Sequence, residues 1–250
     1  MTAPRWRLPA SPLRTSVLAT ASAGLALALA SAVIAAPQLQ LRPLFAVKTG
    51  AVFALSLLVA SGYLSAYHPF PRFGPANTTT TVRLALVALL VASLGEPSSG
   101  ALAWSAAAVT LVATALDGVD GWLARRSNTS SAFGARFDME IDALLITALA
   151  LLAWRWDKAG VWVLACGLMR YAFVAAGWVW PWVERPLPAS TRRKAICVVQ
   201  IVGLAIIVLP VVRAPLSAWL AAATLIVLSY SFLVDVLWLT AHSSGGKPST

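Results

Sequence analysis

Residues 116–142 read LDGVDGWLARRSNTSSAFGARFDMEID. In the first half, Asp117, Asp120, Gly121 and Ala124 stand at i, i+3, i+4 and i+7, one stripe of a helix. In the second half, Gly134, Asp138 and Asp142 stand at i, i+4 and i+8, again one stripe, while Glu140 points elsewhere. The polar run RRSNTSSAF between them predicts a turn, so the two helices fold back on each other and bring four carboxylates together. The chain holds nine Asp and Glu residues, and five of them fall within these 26 positions from Asp117 to Asp142. Carboxylates near the ends of apolar helices carry a large desolvation cost unless they meet cations, so such crowding predicts a site.

Around this stretch the chain is apolar. Of its 250 residues 59% are hydrophobic and 11% charged, with a mean hydropathy of +0.79, which excludes an ordinary water-soluble domain. Apolar runs of about 20 residues recur throughout, the length needed to cross a bilayer. Their lack of alternation excludes a transmembrane barrel and predicts a polytopic transmembrane helical bundle, all-α. Eight spans are expected, at 17–36, 47–67, 78–95, 100–124, 134–155, 159–181, 194–212 and 215–240. The Pro- and Gly-rich HPFPRFGPAN separates an N-terminal tail and two added helices, 1–70, from a six-helix core, 71–240. A flexible tail, 241–250, follows.

Eight spans put both termini on one side, together with thirteen of the nineteen Lys and Arg residues. By the positive-inside rule that side is cytoplasmic, which predicts an integral protein of the cell (inner) membrane. Arg5, Arg7 and Arg14 before an Ala/Leu-rich run ending in VIAAPQ also fit a cleaved signal peptide, but the length of the run favours a retained span. The formal net charge of +10 sits at helix ends, where it meets membrane lipids, and predicts no nucleic-acid partner. Cys166 and Cys197 lie inside spans without any metal-ligand spacing and read as packing residues.

Four convergent oxygen ligands without His or Cys suit a hard cation, Mg²⁺ or Mn²⁺, with two ions the expected number. Glycine and alanine between the acids leave room for a nucleotide or diphosphate. Arg125, one turn beyond Asp120, is placed to neutralise diphosphate oxygens.

These residues resemble the signature of the CDP-alcohol phosphatidyltransferase family, D-x2-D-G-x2-A-R, a spacer, then G-x3-D-x3-D. All eight specified positions match, as Asp117, Asp120, Gly121, Ala124, Arg125, Gly134, Asp138 and Asp142. The resemblance implies a membrane transferase in phospholipid biosynthesis that moves a phosphatidyl group from a CDP-linked lipid such as CDP-diacylglycerol to a small alcohol or alcohol phosphate, releasing CMP. It implies metal binding by Asp117, Asp120, Asp138 and Asp142, with Asp142 also accepting the alcohol proton. It places Gly121, Ala124, Arg125 and Gly134 in the CDP site, and it admits a homodimer.

Other residues carry two readings. Asn77, Thr80 and Arg83, at the head of the third span, resemble the start of the family's first core helix and would support the nucleotide or its diphosphate; a capping Asn or Thr and a snorkelling Arg is the alternative. Arg170, deep in a span, points to acceptor contact or to pairing with a carboxylate such as Asp235. Arg192, Arg193 and Lys194 anchor topology, or Arg193 and Lys194 bind the acceptor. Glu140 and Asp235 read as structural. A multispan cation transporter or a non-catalytic membrane protein is the rival class; it would need acids spread along a path across the membrane.

Overall fold

The computed structural model describes residues 11–243 apart from 128. Arg5, Arg7 and Lys247, counted above in the charge bias, and the tail from 244 lie outside the described residues. Within them the chain is all α-helical, without strands. The helices are α1 (Ser11–Gln38), α2 (Phe45–Ser61), a single turn α3 (Leu64–Tyr67), α4 (Pro75–Ala92), α5 (Gly100–Arg126), α6 (Ala132–Arg155), α7 (Ala165–Val179), α8 (Thr191–Val208) and α9 (Leu216–Ser243). Five segments are long and apolar enough to cross a membrane: α1, α4, α5, Val161–Val179 and Leu216–His242.

All eight expected spans are helices, with shifted ends. The second was expected to run to residue 67, but α2 stops at Ser61, and a separate turn follows Gly62 and Tyr63. The sixth begins with a 3₁₀ turn, Val161–Leu164, before α7 takes over. Polar ends account for the earlier starts of α6 and α8, since Ser131 and Ser190 each accept an amide of the first turn and fix where the helix begins, and Ser99 caps α5 in the same way at its expected start.

Helix α4 is the hub, packed against α1, α2, α5 and α6. Its sequence opens PANTTTTVR, with five consecutive β-branched residues, Thr78 to Val82, that disfavour a helix in water. Pro75 fits the first turn, and the hydroxyls of Thr78, Thr79, Thr80 and Thr81 stand 2.8–3.1 Å from the carbonyls of Gly74, Pro75, Ala76 and Asn77. Thr78, Thr79 and Thr81 thus satisfy their hydroxyls within the helix, and Leu84, Val87 and Ala88 below them are fully buried.

Because lipid is as apolar as leucine, close packing rather than water exclusion joins the helices. A Cβ on Gly167 of α7 would stand 2.7 Å from the Thr147 Cα of α6, so those backbones touch only because that position has no side chain. The N-terminal hairpin shares the core: Ala28, Phe53 and Leu64 belong to the same buried cluster as Leu84 and Leu149. At the far end of α4, Glu96 accepts the Arg42 amide at 2.9 Å and a bond from the Lys48 ammonium, tying the α1–α2 turn to the α4–α5 loop. Burial raises the Glu96 carboxyl, but Lys48 and the Arg42 amide outweigh it and hold it below its ordinary value of 4.5.

Candidate functional site

Helices α5 and α6 fold back as expected, and a third helix completes the site. Arg83 of α4, 1% exposed, sends its guanidinium between them. One terminal nitrogen stands 2.9 Å from Asp117 Oδ1, 2.9 Å from Asp120 Oδ2 and against Asp138; the other donates to Asp142 Oδ1 at 2.5 Å. One cation therefore joins all four acids of the two stripes. Asp120 lies deepest, whereas the Asp117 and Asp138 side chains are 32% and 34% exposed, so the cluster opens on one side. Thr80 Oγ1 lies 3.0 Å from Asp120 Oδ2 and adds a donor there.

The alternative reading of Asn77, Thr80 and Arg83 is corrected by this arrangement. The α4 N-cap is Gly74 and has no side-chain cap bond; Asn77 lies inside the first turn and donates to the Phe73 carbonyl at 2.5 Å. Arg83 does not snorkel to a headgroup, because four carboxylates hold it in the interior. Spacing within one helix cannot report this, since it depends on how α4 is rotated against α5 and α6.

The acids are not equivalent. Carboxylate oxygens of Asp117, Asp120 and Asp138 lie within 4.8 Å of one another, a grouping that does not include Asp142. Asp142 Oδ2 instead faces Cys197 Sγ at 3.6 Å. Cys197, expected as a packing residue, does pack against the apolar core and in addition faces this carboxylate, whereas Cys166 is buried within the core.

The small residues divide as well. A Cβ on Gly121 would meet only the Arg125 guanidinium, at 3.4 Å, leaving the α5 face open. A Cβ on Gly134 would stand 2.8 Å from Asn77 Oδ1, so the missing side chain is what lets Asn77 of α4 approach the first turn of α6. Ala124 is half-buried and Arg125 exposed on the same stretch of α5.

Three expected residues lie apart from the cluster. Arg170 donates to Glu140 at 2.7 Å, so the carboxylate it meets is not Asp235. Asp235 is taken by Arg192 at 2.5 Å and Arg193 at 3.2 Å. Lys194 is exposed at the start of α8.

The donor set fits a hard divalent cation on the structure's own terms: the carboxyl groups of three aspartates converge on one small volume, and one guanidinium serves all four acids of the cluster. The family model described as CDP-alcohol phosphatidyltransferase matches residues 73–231. Comparison with curated proteins and with solved structures finds no significant match.

Proposed function

Since the chain belongs to the CDP-alcohol phosphatidyltransferase family, an integral membrane family that uses divalent metal, we propose that it transfers a phosphatidyl group from CDP-diacylglycerol or a similar CDP-linked lipid to a small alcohol or alcohol phosphate. The observation that carries the reading is the over-supply of negative charge around Arg83: four buried or half-buried acids against one cation. A structural cluster in lipid would balance; this one is left short of positive charge on its open side, where a metal-bound diphosphate would enter.

In this reading Asp117, Asp120 and Asp138 hold the cation, Mg²⁺ or Mn²⁺, with Asp142 as the further ligand if two ions bind. Held by these residues, such a cation would supply charge neutralisation at the reacting phosphate. Asp142, outside the close triad, accepts the proton of the acceptor hydroxyl as its oxygen bonds to the β-phosphorus. The bond from that phosphorus to the bridging oxygen breaks, and the electron pair leaves with CMP. Arg125, beside the open face at Gly121, steadies the diphosphate. Arg83 keeps the four acids together and, with Asn77 and Thr80, sets the floor of the nucleotide site. Arg170, Arg193 and Lys194 are the candidates for acceptor contact; Arg170 and Arg193 each already pair with an acid, so acceptor binding there exchanges partners. The basic bias of the loops supports an active site facing the cytoplasm.

The test is incubation of the purified protein with CDP-diacylglycerol and a panel of alcohols and alcohol phosphates, scoring CMP and lipid product by mass spectrometry. CMP formed in step with one lipid product is the expected result; its absence with every acceptor would refute the transferase.

A further inference from the structure

The stretch between α3 and α4 lies against the first turn of α6. His68, 7% exposed, has different partners at its two ring nitrogens: Nε2 stands 2.9 Å from the Arg72 carbonyl oxygen, and Nδ1 stands 3.3 Å from Ser131 Oγ. A carbonyl only accepts, so Nε2 carries the proton, and Nδ1 of the neutral ring accepts from the Ser131 hydroxyl. That same hydroxyl oxygen accepts the Gly134 amide at 3.0 Å. Three bonds therefore run in one direction, from the Gly134 amide through Ser131 and His68 to the Arg72 carbonyl, with Ser131 and His68 each used once as acceptor and once as donor.

Packing supports the chain. The His68 ring meets Phe133 edge-on at 5.8 Å and Phe70 at 5.6 Å, and Arg136 lies 4.1 Å over the Tyr63 ring. On the other flank Asn77 fills the space beside Gly134. The turn that joins the two halves of the signature is thus gripped from both sides, and one grip comes from a residue five positions before the segment matched by the family model.

We propose that His68 is a positioning residue for donor binding: through Ser131 it fixes the Gly134 amide and the first turn of α6, and so sets the affinity for the cytidine nucleotide part of the donor. This rests on the reading of Gly134 as part of the donor site. It assigns the segment ahead of the core a share in substrate recognition rather than packing alone.

The experiment uses the full chain in detergent with Mg²⁺ and CMP as the probe. His68→Phe keeps the ring stacking and removes both nitrogen bonds, and Ser131→Ala removes the middle of the chain. Each is expected to raise the CMP Kd and the donor KM together by about three- to tenfold, the worth of one lost hydrogen bond, with acceptor KM and melting temperature little changed. Because His68 acts through Ser131, the double variant should bind CMP no more weakly than the poorer single one, and Ser131→Thr should restore affinity. Normal CMP binding in Ser131→Ala, or additive losses in the double variant, would overturn the inference even where His68→Phe folds poorly. Wild-type protein that neither binds nor releases CMP overturns the transferase reading itself, and this proposal with it.

Discussion

Two charged clusters border α4, one just past its C-terminal end and one at its middle, and each has one fully buried ion at its centre. Past the end the centre is Glu96, whose carboxylate meets the Lys48 ammonium and the Arg42 amide. At the middle the centre is Arg83, whose guanidinium meets four aspartates. The first is closed and close to neutral, as expected of a pair that fastens a hairpin to its core. The second sets four carboxyl groups around one guanidinium and is open beside Asp117 and Asp138. Burial alone does not separate a fastening from a reaction centre; unbalanced charge on an accessible side does.

The difference is broken or sharpened by four measurements. The largest effect belongs to Asp142→Asn, which keeps the side-chain volume but removes the proton acceptor; CMP release should fall by about 10²- to 10⁴-fold with helix content unchanged. Retained turnover would reduce the open cluster to a structural one. Arg83→Ala should next cost the metal-free protein about 3–5 kcal/mol in thermal or denaturant unfolding, because the aspartates lose the cation that holds them together. Saturating Mg²⁺ should shrink that loss; an equal loss with and without Mg²⁺ would mean that the acids bind no ion. EDTA should stop the wild-type reaction and Mg²⁺ or Mn²⁺ restore it, while Mg²⁺ at about a hundred times its Kd raises unfolding stability by about 2.7 kcal/mol.

The smallest effect lies at the closed end. Glu96→Gln should cost about 1–3 kcal/mol, with turnover per folded molecule unchanged. Its pH dependence has a defined sign. The folded carboxyl lies below its ordinary value of 4.5, so its contribution is complete above that pH and is lost as pH falls through the lowered value. The difference in melting temperature between wild type and variant should therefore close on acidification below about 4.5, and a gap that widens instead would contradict the pairing.

Much of this was legible in the residues. Periodicity reported which acids share a face of α5 and which share a face of α6, because that question concerns one helix at a time. The hydropathy runs located every long helix, while the break at Gly62 and Tyr63 went unseen because the apolar run continues through it. What spacing could not deliver was the rotation of separate helices about one another. Arg83 and Cys197 reach the site from α4 and α8, and His68 meets the first turn of α6 from the α3–α4 stretch; no interval along the chain encodes those approaches. For Cys197 the only available hint was a polarizable group in a span not far from other polar residues; for His68 it was an aromatic base next to two prolines.

One further consequence concerns how the protein enters the membrane. Helix α6 carries Arg136, Asp138, Glu140 and Asp142 in its first half and is not among the segments apolar enough to cross alone. Each such residue opposes insertion by up to about 2.5–3.5 kcal/mol. The chemistry and the lipid solubility of this helix therefore pull in opposite directions, and Arg83 of α4 offsets the conflict by meeting two of its acids, Asp138 and Asp142, so the same ion pair that gathers the site also lowers the cost of holding α6 in lipid.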